Sequence, residues 1–156
     1  MDRQPAYVDM LKVIMTRWHG SSKHASWRLV ETIIHAECSP STQIYATKIL
    51  LECLADNSTS NYAKYRLLHY LVRKIKPQNK QSTFRYLDSL PPSAKKQINQ
   101  LLPRFLREQA FDLNIITLYT MQVLGASHTE LEAAIREHAS KPVAAPLKNA
   151  LLLTVE

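Results

Sequence analysis

Gly20 and Gly125 are the only glycines in a chain of 156 residues, against roughly 7 % in average usage. Tight hairpins, phosphate-cradling loops and barrel corners draw on glycine for positive φ, so those architectures are largely closed to this sequence. Helix remains. Apolar residues recur at helical spacing along the chain, and no convincing alternating strand interrupts them. An apolar fraction of 46 % with seven tyrosines supplies a real core, and the length suits one domain burying about two-thirds of its unfolded surface. The sequence predicts an all-α fold, a single domain over residues 1–156 formed as a helical bundle or short helical-hairpin array of seven to nine helices.

A first helix is expected over Pro5–Trp18, ended by Gly20-Ser21-Ser22, and a second from Ser26 to the residues before Pro40. Ser39–Pro40 reads as an N-cap followed by proline at the first helical position. The helix it opens, to Ala55, turns Ile44, Ala46, Ile49, Leu50 and Leu54 inward. A polar turn rich in capping side chains, Asp56 to Ser60, leads to a helix over Asn61–Ile75 that must stop before Pro77. A short helix over Ser82–Ser89 is broken by Pro91-Pro92, and the next runs from Pro92 to Leu101 or Leu102, where Pro103 should kink or restart it.

Asp112 offers a cap for a helix carrying Leu113, Ile116, Tyr119, Met121, Val123 and Leu124. That segment is apolar nearly all round, as suits a central core helix or one shared with another chain. Gly125 fits a left-handed C′ position, and Ser127 with Glu130 has capping-box spacing for a helix to Ala139. Lys141–Pro146 reads as a linker before a final short helix, so residues 140–156 are a candidate docking tail. Tyr45-Ala46-x3-Leu50-Leu51-x2-Leu54 recurs seventeen residues later as Tyr62-Ala63-x3-Leu67-Leu68-x2-Leu71. This suits either a small helical array or ordinary leucine recurrence in a bundle.

Charge narrows function more than fold. Lys64–Arg107 holds eleven of the twenty Lys and Arg and one acid, Asp88, whereas the flanking segments are neutral or acidic. A block of one sign repels itself unless it spreads over a solvated face or meets an anionic partner. Along the helix from Asn61, the leucines claim the core stripe and Lys64, Arg66, Arg73 and Lys74 fall toward solvent. Asp88 is the natural partner for Arg85. The predicted contact set for nucleic acid, RNA before DNA, is Arg73, Lys74, Lys76, Lys80, Arg85, Lys95 and Lys96 for phosphates, with Tyr86 as a stacking platform. An acidic protein surface would satisfy the same charges. In the rival reading the chain is an adaptor or homodimer whose apolar C-terminal helices and Leu151, Leu152 and Leu153 meet a partner.

Catalytic and metal chemistry find little support. Two isolated glycines cannot write a phosphate-loop or dinucleotide fingerprint, and no nucleophile elbow is present. His35, Cys38, Cys53 and His69 lack the paired spacing of a zinc site, which leaves buried thiols as the simpler reading. The expected protein is therefore not an enzyme and needs no cofactor or metal. With no apolar run near the ~20 residues that span a bilayer and no secretory pattern at Asp2, Arg3 and Asp9, it is expected to be soluble and intracellular.

Overall fold

The computed structural model describes residues 40–57, 59–75 and 84–153. These residues are overwhelmingly α-helical, in accord with the all-α expectation. Six α-helices occur among them: α1 Pro40–Ala55, α2 Asn61–Val72, α3 Pro92–Leu106, α4 Phe111–Val123, α5 His128–His138 and α6 Lys141–Leu153. The helices expected between Pro5 and Pro40 lie outside the described residues. The chain divides between Leu67 and Leu68, inside α2, into two compact units.

In the first unit, α1 has the predicted bounds, and Leu50 and Leu54 are fully buried. The polar turn caps both neighbours. Thr59 Oγ1 donates to the Cys53 carbonyl at 2.7 Å, satisfying an orphan acceptor at the end of α1. Ser60 Oγ accepts from the Ala63 amide at 3.2 Å, as an N-cap serine should. Both copies of the repeat fall on helices, α1 and α2, with Leu50 and Leu54 matched by buried Leu67 and Leu71. Lys64 departs from expectation: it is buried rather than solvent-facing.

α2 stops at Val72, three residues short of the predicted end, because tertiary contacts override local propensity. The Val72 carbonyl accepts Arg85 Nε at 3.1 Å, and the chain leaves the helix as an extended segment. β1 (Lys74–Ile75) pairs antiparallel with β2 (Phe84–Arg85), Lys74 opposite Arg85 and Ile75 opposite Phe84. The helix expected over Ser82–Ser89 is thus replaced by this two-residue ladder and a 3₁₀ turn, Tyr86–Ser89. Ser89 Oγ closes the turn by donating to the Tyr86 carbonyl at 2.7 Å. Leu90 and Pro91 then take the extended conformations that a following proline enforces.

α3 begins with Pro92, where a missing amide loses nothing, and runs straight through Pro103 to Leu106. The bond that Pro103 cannot make would go to Asn99, an exposed residue whose carbonyl water can satisfy. The stripe Ala94, Ile98, Leu102, Phe105 and Leu106 is buried on both sides of the proline and holds the helix together. α6 corrects the predicted linker in the same way. Pro142 sits in the first turn, where its amide would be an orphan, and Pro146 omits a single helical bond.

Within the second unit α3 packs on α4 and α5, and α6 packs on α4 and α5. α4 is central, with Leu113, Ile116, Leu118 and Met121 buried together with Asn114, Thr117 and Thr120. The polar members are hydrogen-bonded inward. Thr117 and Thr120 donate to the carbonyls four residues back, at 2.6 and 2.7 Å. Asn114 Nδ2 donates to the Phe105 and Glu108 carbonyls, at 2.9 and 3.0 Å, and so ties α4 to the end of α3. The predicted Asp112 cap is not made: Ala110 is the N-cap and Asp112 lies in the first turn, where its charge suits the helix dipole.

The α4–α5 join follows the sequence closely. Gly125 has φ +106°, its amide donates to the Gln122 carbonyl, and the Ala126 amide donates to that of Met121, which is a Schellman ending. Ser127 and Glu130 form the reciprocal capping box, with both bonds at 3.2 Å.

Candidate anion-binding site

The ladder brings part of the predicted cationic set together. Lys74 and Arg85 are direct cross-strand partners, so their side chains leave the same face, and like charges in that register are destabilising when left alone. Lys74 is exposed and Arg85 half-buried. Neither forms an ion pair with a carboxylate among the described residues. Asp88, expected to neutralise Arg85, is exposed on the 3₁₀ turn and does not reach it. Among the described residues, then, the hairpin base has no carboxylate to offset its positive charge.

Arg85 is held from two sides. Nε is fixed on the Val72 carbonyl, and Nη2 donates to the Tyr119 hydroxyl at 2.9 Å across 34 residues of sequence. Its guanidinium lies 5.9 Å from the Tyr119 ring centroid. An arginine has five N–H donors in a fixed fork, so these two bonds set its orientation and leave others for an anion. Tyr119 is 38 % exposed and is the contributor that sequence reasoning missed. Only its place in an apolar helix was legible. Nothing in the spacing linked it to a residue on the distant basic segment.

The remaining predicted residues are placed as follows. Arg73, beside Lys74, stacks its guanidinium 5.2 Å from the centre of the Tyr70 ring. Lys95 and Lys96 stand on the first turns of α3, where no acidic residue offsets the positive helix end. Lys76 and Lys80 lie outside the described residues. Tyr86 is a correction. It is buried, 8 % exposed, with its ring 5.5 Å from that of buried Tyr70, and so displays no face for a base. The inward pairing of Tyr70 on α2 with Tyr86 on the 3₁₀ turn explains this, since ring burial wins over exposure of a phenol rim.

Of the predicted partner-facing leucines, Leu151 is buried in its own unit and Leu152 is 63 % exposed on α6, while the side chain of Leu153 lies outside the description. A cleft of about 210 Å³ opens beside them, lined by Ile115, Ile116, Leu118, Tyr119, Gln122, Leu131, Ala150 and Leu151.

Among the described residues no three His, Cys, Asp or Glu side chains converge as metal ligands, and no helix is long and apolar enough to cross a membrane. Cys53 is buried, and its thiol is pushed up to about 12, first by burial and then by the negative charges of Asp56 and Glu52. A thiol held protonated in this way is a poor ligand and a poor nucleophile. Compared with protein families, curated proteins and solved structures, the chain finds no match.

Proposed function

We propose that the chain is a non-catalytic binding protein that receives an anionic partner, RNA first, on the basic surface of residues 64–107. The observation that carries this reading is the Lys74/Arg85 pair, two cations facing each other across a ladder with no carboxylate partner among the described residues. Arg73 adjoins them, and Lys76, Lys80, Lys95 and Lys96 extend the set along the chain. The chemistry is phosphate neutralisation, with Arg85 pre-oriented and the lysines as adaptable point charges. Because Tyr86 is buried, the proposed contact is to the backbone rather than to stacked bases at that position. In this reading the protein is soluble, intracellular, of seven to nine helices, and free of cofactor.

The test is binding of the full chain to a labelled mixed single-stranded RNA and to duplex DNA, titrated from low to physiological salt. Neutralising several phosphates makes affinity fall steeply with salt. Changing Lys74, Lys76 and Lys80 together to Glu should remove binding and leave the circular dichroism unchanged. Full affinity in that variant would sink the assignment.

A second reading, an adaptor or homodimer using the C-terminal helices, is favoured by the exposure of Leu152 on the outer face of α6. Leu152→Asp should then lower partner recovery or shift the sedimentation of the free protein, with little response to salt.

A further inference from the structure

The cleft on α4, α5 and α6 has a chemistry of its own. Six of its eight lining residues are aliphatic (Ile115, Ile116, Leu118, Leu131, Ala150 and Leu151), and the other two are Tyr119 and Gln122. At about 210 Å³ it exceeds the ~150 Å³ apolar cavity that accepts a benzene ring and falls below the roughly 300–1,000 Å³ of drug-sized sites. That is room for a short aliphatic chain, and too few polar groups to satisfy the edge of a nucleobase, whose buried unpaired donors and acceptors would each be penalised. Helix-in-groove docking calls for several anchors at i, i+3, i+4 and i+7, more than one small cleft supplies.

Charge sets the head group. Tyr119 walls the cleft, and its hydroxyl is the atom that holds Nη2 of Arg85, a cation without a carboxylate partner among the described residues. Arg85 lies outside the lining, and its guanidinium stands one hydrogen bond beyond the Tyr119 side chain, with N–H donors to spare. We infer that this cleft binds a medium-chain aliphatic carboxylate, its chain among Ile115, Leu118, Leu131 and Leu151 and its head group on Arg85 beside Tyr119. The lining lies on three C-terminal helices outside the basic segment, while Arg85 is shared with the surface proposed for nucleic acid.

The test uses the full chain and three probes of equal length, decanoate, decanol and decylamine, each below its micellar or solubility limit, followed by calorimetry and by methyl chemical shifts of Ile115 and Leu151. Decanoate should bind one-to-one and more tightly than decanol, and decylamine should bind least. Ala150→Phe, in the cleft lining, should abolish binding. Arg85→Gln should weaken decanoate about tenfold, the scale of a charge-assisted hydrogen bond, and leave decanol unchanged. Equal affinity for the three probes would overturn the head-group assignment, and undiminished binding in a folded Ala150→Phe protein would overturn the cleft. No decanoate binding, with the same methyl groups shifted by single-stranded RNA instead, would give the cleft to a base and overturn the inference.

Discussion

The α4–α5 join and the base of the β1–β2 hairpin both reverse the chain, and they do so by opposite means. At the join every controlling bond is local: Gly125 to Gln122, Ala126 to Met121, Ser127 with Glu130. At the hairpin base the controlling bonds run from Arg85 to Val72 and to Tyr119, 13 and 34 residues away. The join is held by backbone chemistry that its own residues supply. The hairpin adds to its own ladder two long-range bonds from one charged side chain. The contrast teaches that the bundle can be stable without the hairpin, whereas the hairpin depends on the bundle for half of its anchorage.

Substitutions at five positions test that contrast, beginning with the largest. Phe105→Ala empties a fully buried site at the α3–α4 junction and should cost about 3–5 kcal/mol, read from the urea midpoint. A loss below ~1 kcal/mol would mean that the four C-terminal helices are not the cooperative core. Asn114→Ala strands the Phe105 and Glu108 carbonyls and should cost about 1–3 kcal/mol. Asn114→Leu of similar volume, if neutral, would show that those carbonyls find other donors.

Smaller effects separate the two reversals. Ser127→Ala should cost ~1 kcal/mol through loss of the cap. Gly125→Ala meets no atom within 4 Å, so its cost, about 1 kcal/mol or slightly more, is conformational alone. Arg85→Lys keeps the charge and loses the fork. It should change global stability by less than ~1 kcal/mol while amide exchange at Arg73–Ile75 accelerates. If its thermal midpoint falls as far as that of Phe105→Ala, the hairpin is part of the core and the contrast collapses.

The same division explains what the sequence could reveal. The capping box, the C′ glycine, Pro92 at a helix start and the bounds of α1 all follow from residues within one turn of each other. Pro103 misled because a buried stripe on both sides carries the helix across one missing bond, and Pro146 because Leu147 and Leu151 anchor the turns that follow it. The end of α2 and the ladder were hidden because Arg85 takes the Val72 carbonyl from a helix that local propensity would have continued. In the candidate site, Arg73, Lys74 and Arg85 were legible as charge. Their grouping was not, and neither was the burial of Tyr86 against Tyr70, since spacing cannot say which phenol turns inward. Tyr119 stood out of reach for the same reason.

That tyrosine belongs to two neighbourhoods at once, since one ring walls the cleft and its oxygen holds the arginine of the hairpin. Thermodynamic linkage then admits no private event on either side. Under the two proposals, an occupant of the cleft that turned the ring would change the affinity of the hairpin base for its anion, and the anion would change the affinity of the cleft by the same factor. A single phenol would thereby act as a two-input gate.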